Sequence, residues 1–207
     1  MSNLMGNSSN GGKMSNEPKD KVPDWVYQFQ AKRIGQRFAG ATLATTRLDH
    51  GDAERVAKWA VKKTGMLLMM GKPGCGKTYV CSALVSWMYG KVADMYYFRE
   101  SDFFSRLRAS MDQQGDWNQE LIFQCDHDFL LFDDIGSAGQ GQTGWRQDVF
   151  LEIVNKRYES CKPTVFSTNY NEKEIMEKLG QRTYSRLFAK ENTVIDMFGY
   201  PDLRLSM

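Results

Sequence analysis

The chain has 207 residues, 42% hydrophobic and 25% charged, which is the balance of a soluble globular protein with room for one full hydrophobic core and little room for a second. A net charge of +2 gives no bulk basic signature, so contact with nucleic acid has to be argued from local residues. The four cysteines form no C-x-x-C pair, the two histidines lack metal-ligand spacing, and no apolar run reaches bilayer length; a reducing, cytoplasmic setting without membrane contact is expected.

In chain order, residues 1–22 are rich in Ser, Asn, Gly and Lys without apolar periodicity, which predicts a disordered tail. Pro23 and Asp24 mark a helix start, with Asp24 as its cap, and Trp25, Val26, Phe29 and Ile34 recur at near-helical spacing. Gly51 and Asp52 open a second helix through Val56, Trp59, Ala60 and Val61, closed by Gly65. Residues 66–70 read as a buried parallel strand, residues 77–89 as a helix ended by Gly90, and residues 94–98 as a second strand. Ser101 is a plausible cap for a helix carrying Phe103, Phe104 and Leu107, and residues 118–124 suggest a further helical stretch. The strand 129–132, a Gly- and Gln-rich loop 136–144 and a helix 145–159 follow. After Pro163 comes a strand at 164–166; Asn171 with Glu174 then forms a capping box for a helix ending near Gly180, and residues 193–197 supply the last strand. Such alternation predicts an α/β layer fold with a largely parallel sheet.

The strongest chemical signal is Gly71-Lys72-Pro73-Gly74-Cys75-Gly76-Lys77-Thr78, a complete G-x-x-x-x-G-K-[ST] motif followed by Tyr79. Its glycines let backbone N–H groups turn inward on phosphate oxygens, Lys77 adds a point charge, and the Thr78 hydroxyl suits Mg²⁺. An apolar strand before it and a helix after it argue against a chance match. Phe129-Leu130-Leu131-Phe132 ends in Asp133 and Asp134, so Asp133 can reach the Mg²⁺ shell and Asp134 can orient the attacking water. The residue pair also reads as an acidic turn, but a full phosphate loop earlier in the chain favours the functional reading. Ser167-Thr168-Asn169 follows the fourth strand, where an amide can meet water or the γ-phosphate; alone, such a triplet usually makes a turn. Arg182 and Arg186 share one face of a short helix and by themselves read as a solvated basic face, as does Arg204.

Together these residues resemble the AAA+ ATPases of the bacterial helicase-loader family, the DnaC/DnaI type, and the related IstB-like transposition ATPases. The resemblance runs from about residue 34 to residue 204. It includes Ile34-Gly35-Gln36-Arg37-Phe38, the phosphate loop, Phe132-Asp133-Asp134-Ile135-Gly136, Ser167-Thr168-Asn169 and Arg182-Thr183-Tyr184-Ser185-Arg186-Leu187. It implies a P-loop AAA+ fold of three layers around a five-stranded, mostly parallel sheet, without a separate C-terminal lid domain. It divides the chain into the tail 1–22, a short helical or linker region 23–50 suited to a partner, and an ATPase domain 51–207.

By resemblance the site comprises Lys77, Asp133, Asp134, Asn169, Arg182 and Arg186 for catalysis. Asn169 is the γ-phosphate sensor, and Arg186 is the finger acting on a neighbouring subunit's ATP, supported by Arg182. Gly71, Pro73, Gly74, Cys75, Gly76, Lys77, Thr78, Tyr79 and Arg204 bind the nucleotide, and Thr78 and Asp133 hold Mg²⁺. The loader reading adds single-stranded DNA, contacted by Phe104, Arg106 and Arg108, a hexameric replicative helicase as partner, and self-association through the nucleotide site. Phe103, Phe104 and Leu107 have the alternative of being simply core. Loaders usually carry a larger N-terminal helicase-binding region than residues 23–50, and Asp134 stands where many AAA+ proteins carry Glu. The competing readings are an IstB-like target-selection ATPase, which prefers duplex DNA, a P-loop small-molecule kinase, and a nucleotide-gated adaptor.

Overall fold

The computed structural model describes residues 22–112, 126–137 and 143–205. Short, largely apolar runs form five strands: β1 (Met66–Met70), β2 (Met95–Arg99), β3 (Phe129–Ile135), β4 (Thr164–Thr168) and β5 (Thr193–Asp196). All neighbours pair parallel, in the order β2-β3-β4-β1-β5. The helices are α1 (Asp24–Phe29), α2 (His50–Lys62), α3 (Lys77–Met88), α4 (Glu100–Asp112), α5 (Thr143–Glu159), α6 (Glu172–Leu179) and α7 (Gln181–Leu187).

Strand side chains alternate between faces, and this divides the core in two. Met66, Leu68, Leu130, Phe132 and Phe166 face a cluster completed by Phe103, Phe104 and Leu107 of α4, Val149, Phe150 and Ile153 of α5, Ile175 of α6 and Leu187 of α7. Leu67, Met69, Leu131, Val165 and Ile195 face the opposite cluster with Val26 of α1, Val56 and Trp59 of α2, and Val80, Leu84 and Met88 of α3. A sheet apolar on both faces between two helical layers is the expected arrangement for parallel strands. No helix among the described residues is long and apolar enough to cross a membrane.

Several boundaries differ from the sequence expectations for local reasons. Asp24 lies inside α1, whose cap is Pro23 and carries no side-chain cap bond. Helix α2 opens one residue earlier, because Asp49 accepts a hydrogen bond from Asp52 N at 2.8 Å; it closes at Lys63, in left-handed conformation, and Val61 is left 65% exposed. Helix α3 stops at Met88, with Tyr89 as its C-cap, a residue short of the expected end. Ser101 is not a cap: β2 ends at Arg99 and α4 begins at Glu100 with no loop between them. Strands β3 and β4 continue to Ile135 and Thr168, since their polar C-terminal residues remain in the sheet. The capping box of Asn171 and Glu174 is formed as expected. The predicted stretch 118–124 and nearly all of the tail 1–22 lie outside the described residues.

Residues 23–50, expected as a short helical or linker region, are helical in part. After α1 the chain makes a π-helical turn (Gln30–Ile34) and two short 3₁₀ turns (Gln36–Phe38 and Leu43–Thr45) that pack along α3. Gln30 is fully buried; its amide donates to Ala41 O at 3.0 Å and Ser82 O at 2.8 Å, while its carbonyl accepts from Gly40 N at 2.8 Å. A buried amide satisfied on both ends fixes the path of this segment along α3.

Candidate nucleotide site

Residues 71–76 connect the end of β1 to the start of α3, which aims the loop amides and the first helical N–H groups into one concavity. Glycine is required where the loop is crowded. A Cβ on Gly71 would fall 2.8 Å from Met197 Cβ, and one on Gly74, at φ +86°, would fall 2.0 Å from Asp202 Oδ1. The C-terminal segment is tied to the same loop by Leu203 N donating to Gly74 O at 3.0 Å.

Lys77 is 7% exposed, and its ammonium donates to Gly71 O at 2.6 Å, Lys72 O at 2.9 Å and Asn169 Oδ1 at 2.9 Å. These contacts balance a buried cation and hold its head at the loop. Thr78 Oγ1 donates to Asp133 Oδ2 at 2.9 Å, so the hydroxyl and carboxylate expected to share a cation are already adjacent. Asp133 is 3% exposed and also accepts from Tyr97 OH at 2.8 Å and from the Ser167 hydroxyl.

Asp134 sits where the pairing of β3 with β4 slips between Phe132 and Ile135, and its φ of +60° turns its side chain away from the ladder. Its backbone N–H donates to Ser167 Oγ at 3.0 Å, and its carboxylate accepts from Asn169 Nδ2 at 2.6 Å. Asn169 therefore bridges Lys77 and Asp134. Burial, and then the neighbouring charge of Asp133, push the Asp134 carboxyl above the usual range. The Tyr97 phenol is pushed up by burial first and by Asp133 second, so it remains a donor.

Lys77, Thr78, Asp133, Asp134, Ser167 and Asn169 line a cavity of about 880 Å³, within the span of small-molecule sites. Arg37, Phe38, Thr45 and Arg47 close one side of it, and Leu203 and Arg204 another. Tyr79 reaches across from α3, its hydroxyl donating to Thr45 Oγ1 at 2.9 Å. Pro73 and Cys75 belong to the same wall. A nucleotide with a divalent cation fits this donor set. Among the described residues no group of three or more His, Cys, Asp or Glu forms a metal cage. A single carboxylate with a hydroxyl instead suits Mg²⁺ shared with phosphates and water.

The model of the IstB-like ATP binding protein family matches residues 44–203. The chain belongs to that family. This IstB-like chain is 26% identical over 121 residues to the replicative helicase loader DnaC of Escherichia coli (strain K12), covering 58% of the chain and 49% of DnaC. It is 27% identical over 170 residues to the replicative helicase loader DnaI of Bacillus subtilis (strain 168), covering 76% of the chain and 52% of DnaI. The chain thus matches about half the length of these relatives. The crystal structure of the DnaC helicase loader is similar in fold, with a TM-score of 0.66 at 21% identity over 78% of this chain and 99% of that one. The layered α/β fold around a five-stranded parallel sheet expected from the sequence is the one found.

The IstB-like chain brings the sequence-predicted residues Pro73, Gly74, Cys75, Gly76, Lys77, Thr78, Tyr79, Asp133, Asp134, Asn169 and Arg204 around one cavity, while Gly71 stands behind the lining and accepts from Lys77. Arg204 is partly exposed there, its Nε 3.7 Å from Asp202 Oδ1. Arg182 and Arg186 do not join them. Both lie on α7 along a separate groove with Gln147, Asp148 and Leu151 of α5, and Arg186 donates to Arg182 O at 2.9 Å. Phe104 is corrected from a DNA-stacking residue to a core one: it is 1% exposed, edge-on to Trp145 at 5.6 Å and covered by the Arg146 guanidinium at 5.2 Å. A ring enclosed in this way has no face for a base. Arg106 and Arg108 are on the exposed side of α4, with Arg106 donating to Tyr96 OH at 3.1 Å.

Sequence reasoning missed Arg99, which lines this cavity, and Tyr97, which lies outside the lining and donates to Asp133 from the core. Their signal is only in the strand register, where Tyr97 pairs beside Leu131 and Arg99 beside Asp133.

Proposed function

We propose that this member of the IstB-like family is an Mg²⁺-dependent ATPase that binds single-stranded DNA and delivers a hexameric replicative helicase. The observation that carries the ATPase reading is the convergence of Lys77, Thr78, Asp133, Asp134 and Asn169 at the mouths of β1, β3 and β4. The loop N–H groups and Lys77 hold the phosphates, and Thr78 and Asp133 hold the cation. When bound, Mg²⁺ neutralises charge on the β- and γ-phosphate oxygens. Asp134, aimed by Asn169, orients the attacking water, and Asn169 senses the γ-phosphate through its second bond, to Lys77. Arg204 faces the nucleotide of its own chain. The choice of DNA and helicase is supported by the similarity to DnaC and DnaI, and Arg106 and Arg108 are the candidate phosphate contacts.

The position of Arg182 and Arg186 outside the nucleotide cavity of their own chain supports their acting on a neighbouring subunit. Complementation tests this. Lys77→Ala and Arg186→Ala are each expected to be inactive in ATP hydrolysis. Mixed, they regain activity, because an Lys77→Ala subunit still lends Arg186 to an intact phosphate loop. Absence of rescue in mixtures shown to co-assemble contradicts the reading.

The family match favours one second reading, a target-selection ATPase for transposition. Activity stimulated by duplex DNA alone, with binding that extends along the duplex, would select it.

A further inference from the structure

Tyr97 and Arg99 are two residues apart on β2, so they project to the same face, and the register sets Arg99 directly beside Asp133. Tyr97 is 5% exposed. Its hydroxyl is 2.8 Å from Asp133 Oδ2, the same oxygen that accepts from Thr78 at 2.9 Å. Ser167 donates to the other oxygen. Three hydroxyls from β2, α3 and β4 therefore fix the plane of this carboxylate. Phenylalanine would fill the same space in the core, so packing alone gives the buried hydroxyl no purpose; its partner does.

Arg99 extends the chain of contacts outward. Its Nε donates to the Tyr97 oxygen at 3.4 Å, and its terminal nitrogen donates to Ile34 O at 3.1 Å. Ile34 closes the π-helical turn that Gln30 anchors on α3. A continuous path thus runs from the N-terminal segment through Arg99 and Tyr97 to Asp133.

We infer that Tyr97 is a positioning residue for Asp133, and that Arg99 sets the tyrosine from the N-terminal segment. The inference rests on the reading of Asp133 and Thr78 as holders of a divalent cation beside ATP. Tyr97 touches neither nucleotide nor cation; it acts by holding Oδ2 at Thr78. Its effect therefore falls on the cation requirement and not on the grip of the loop on phosphates.

The test is the affinity of the full chain for a fluorescent ATP analogue, titrated with Mg²⁺ and repeated in EDTA. In wild type, Mg²⁺ tightens binding. Tyr97→Phe raises the Mg²⁺ midpoint by about tenfold, as loss of a group supporting a metal ligand does, while affinity in EDTA stays at the wild-type value. Arg99→Gln shifts the midpoint in the same direction by less. In an Asp133→Asn background Tyr97→Phe adds nothing, because the group it positions is gone.

A wild-type Mg²⁺ midpoint in folded Tyr97→Phe overturns the inference and leaves the ATPase reading standing, as does an equal loss of affinity in EDTA. A wild-type chain whose ATP binding ignores Mg²⁺ overturns both. Should Tyr97→Phe fail to fold, the exposed Arg99 carries the test, and an unchanged midpoint in Arg99→Gln overturns the relay.

Discussion

Arg157 is a fully buried cation on α5 with no role at the nucleotide site, and its replacement sets two large effects against each other. Its guanidinium donates to Thr164 Oγ1 at 2.6 Å, to Pro163 O at 2.8 Å and to His127 O, fastening α5 to the approaches of β3 and β4. Arg157→Met keeps much of the length and removes the charge. Relief of the buried charge favours the variant, by as much as several kcal/mol per ion in the general case. Loss of hydrogen bonds to a charged donor opposes it, at about 1.5–3 kcal/mol each.

The acceptors decide the outcome. Replacing an ion pair by apolar groups is tolerated when both partners go, whereas the acceptors named here are mainly backbone carbonyls and they stay. Two of the three retain company: Thr164 Oγ1 still donates to Lys162 O at 3.0 Å, and Pro163 O still accepts from Leu130 N at 3.3 Å. His127 O loses this charged donor. The net expectation is a destabilisation of about 2–4 kcal/mol for Arg157→Met, with Arg157→Ala worse because it also leaves a cavity. Urea unfolding followed by far-UV circular dichroism measures it as a lower midpoint at unchanged slope. A Met variant within about 0.5 kcal/mol of wild type, or more stable, would show that desolvation outweighs the hydrogen bonds and refute the reasoning.

The two sides of α4 separate core from surface. Phe104→Ala costs about 3–5 kcal/mol of stability as a large-to-small core change, and Arg108→Ala weakens single-stranded DNA binding while leaving the urea midpoint in place. A normal midpoint in the first variant contradicts the packing account. The α2 cap gives a pH signature: the bond from Asp52 N–H, and then Tyr200, hold the Asp49 carboxyl below its ordinary range. The stability it contributes is present above the unfolded carboxylate pKa, near 4, and is lost as pH falls through the lower folded value. Thermal unfolding against pH should therefore show Asp49→Ala with a lower Tm at neutral pH, and Asp49→Asn, which preserves the cap, with a flatter acid limb. An unchanged Tm in the Ala variant contradicts the role of the cap.

What the sequence made legible was local. The phosphate loop, the acidic pair at a strand end and the capping box are each complete within a few adjacent residues, so spacing alone exposes their chemistry. Asp49 and Ser101 show the limit of that reasoning: both are good caps by type, and only the direct passage of β2 into α4 decides that Ser101 has no terminus to cap. Tyr97 and Arg157 were not legible. Each looks like an ordinary strand aromatic or helix cation, and its partners lie across strand pairing or helix packing. Phe104 was open between core and surface because its neighbours Trp145 and Arg146 are distant in sequence. The helix of the N-terminal segment was legible in its apolar spacing, but its anchor was not, because Gln30 is polar and hydrophobic pattern does not reveal a buried amide.

The measurement that tests the central claim most directly is steady-state ATP hydrolysis without DNA, with single-stranded DNA and with duplex DNA, using Lys77→Ala as the inactive control. The account predicts Mg²⁺-dependent turnover that single strands stimulate more than duplex and that Lys77→Ala abolishes. Turnover indifferent to DNA of either form, or retained in Lys77→Ala, would contradict it.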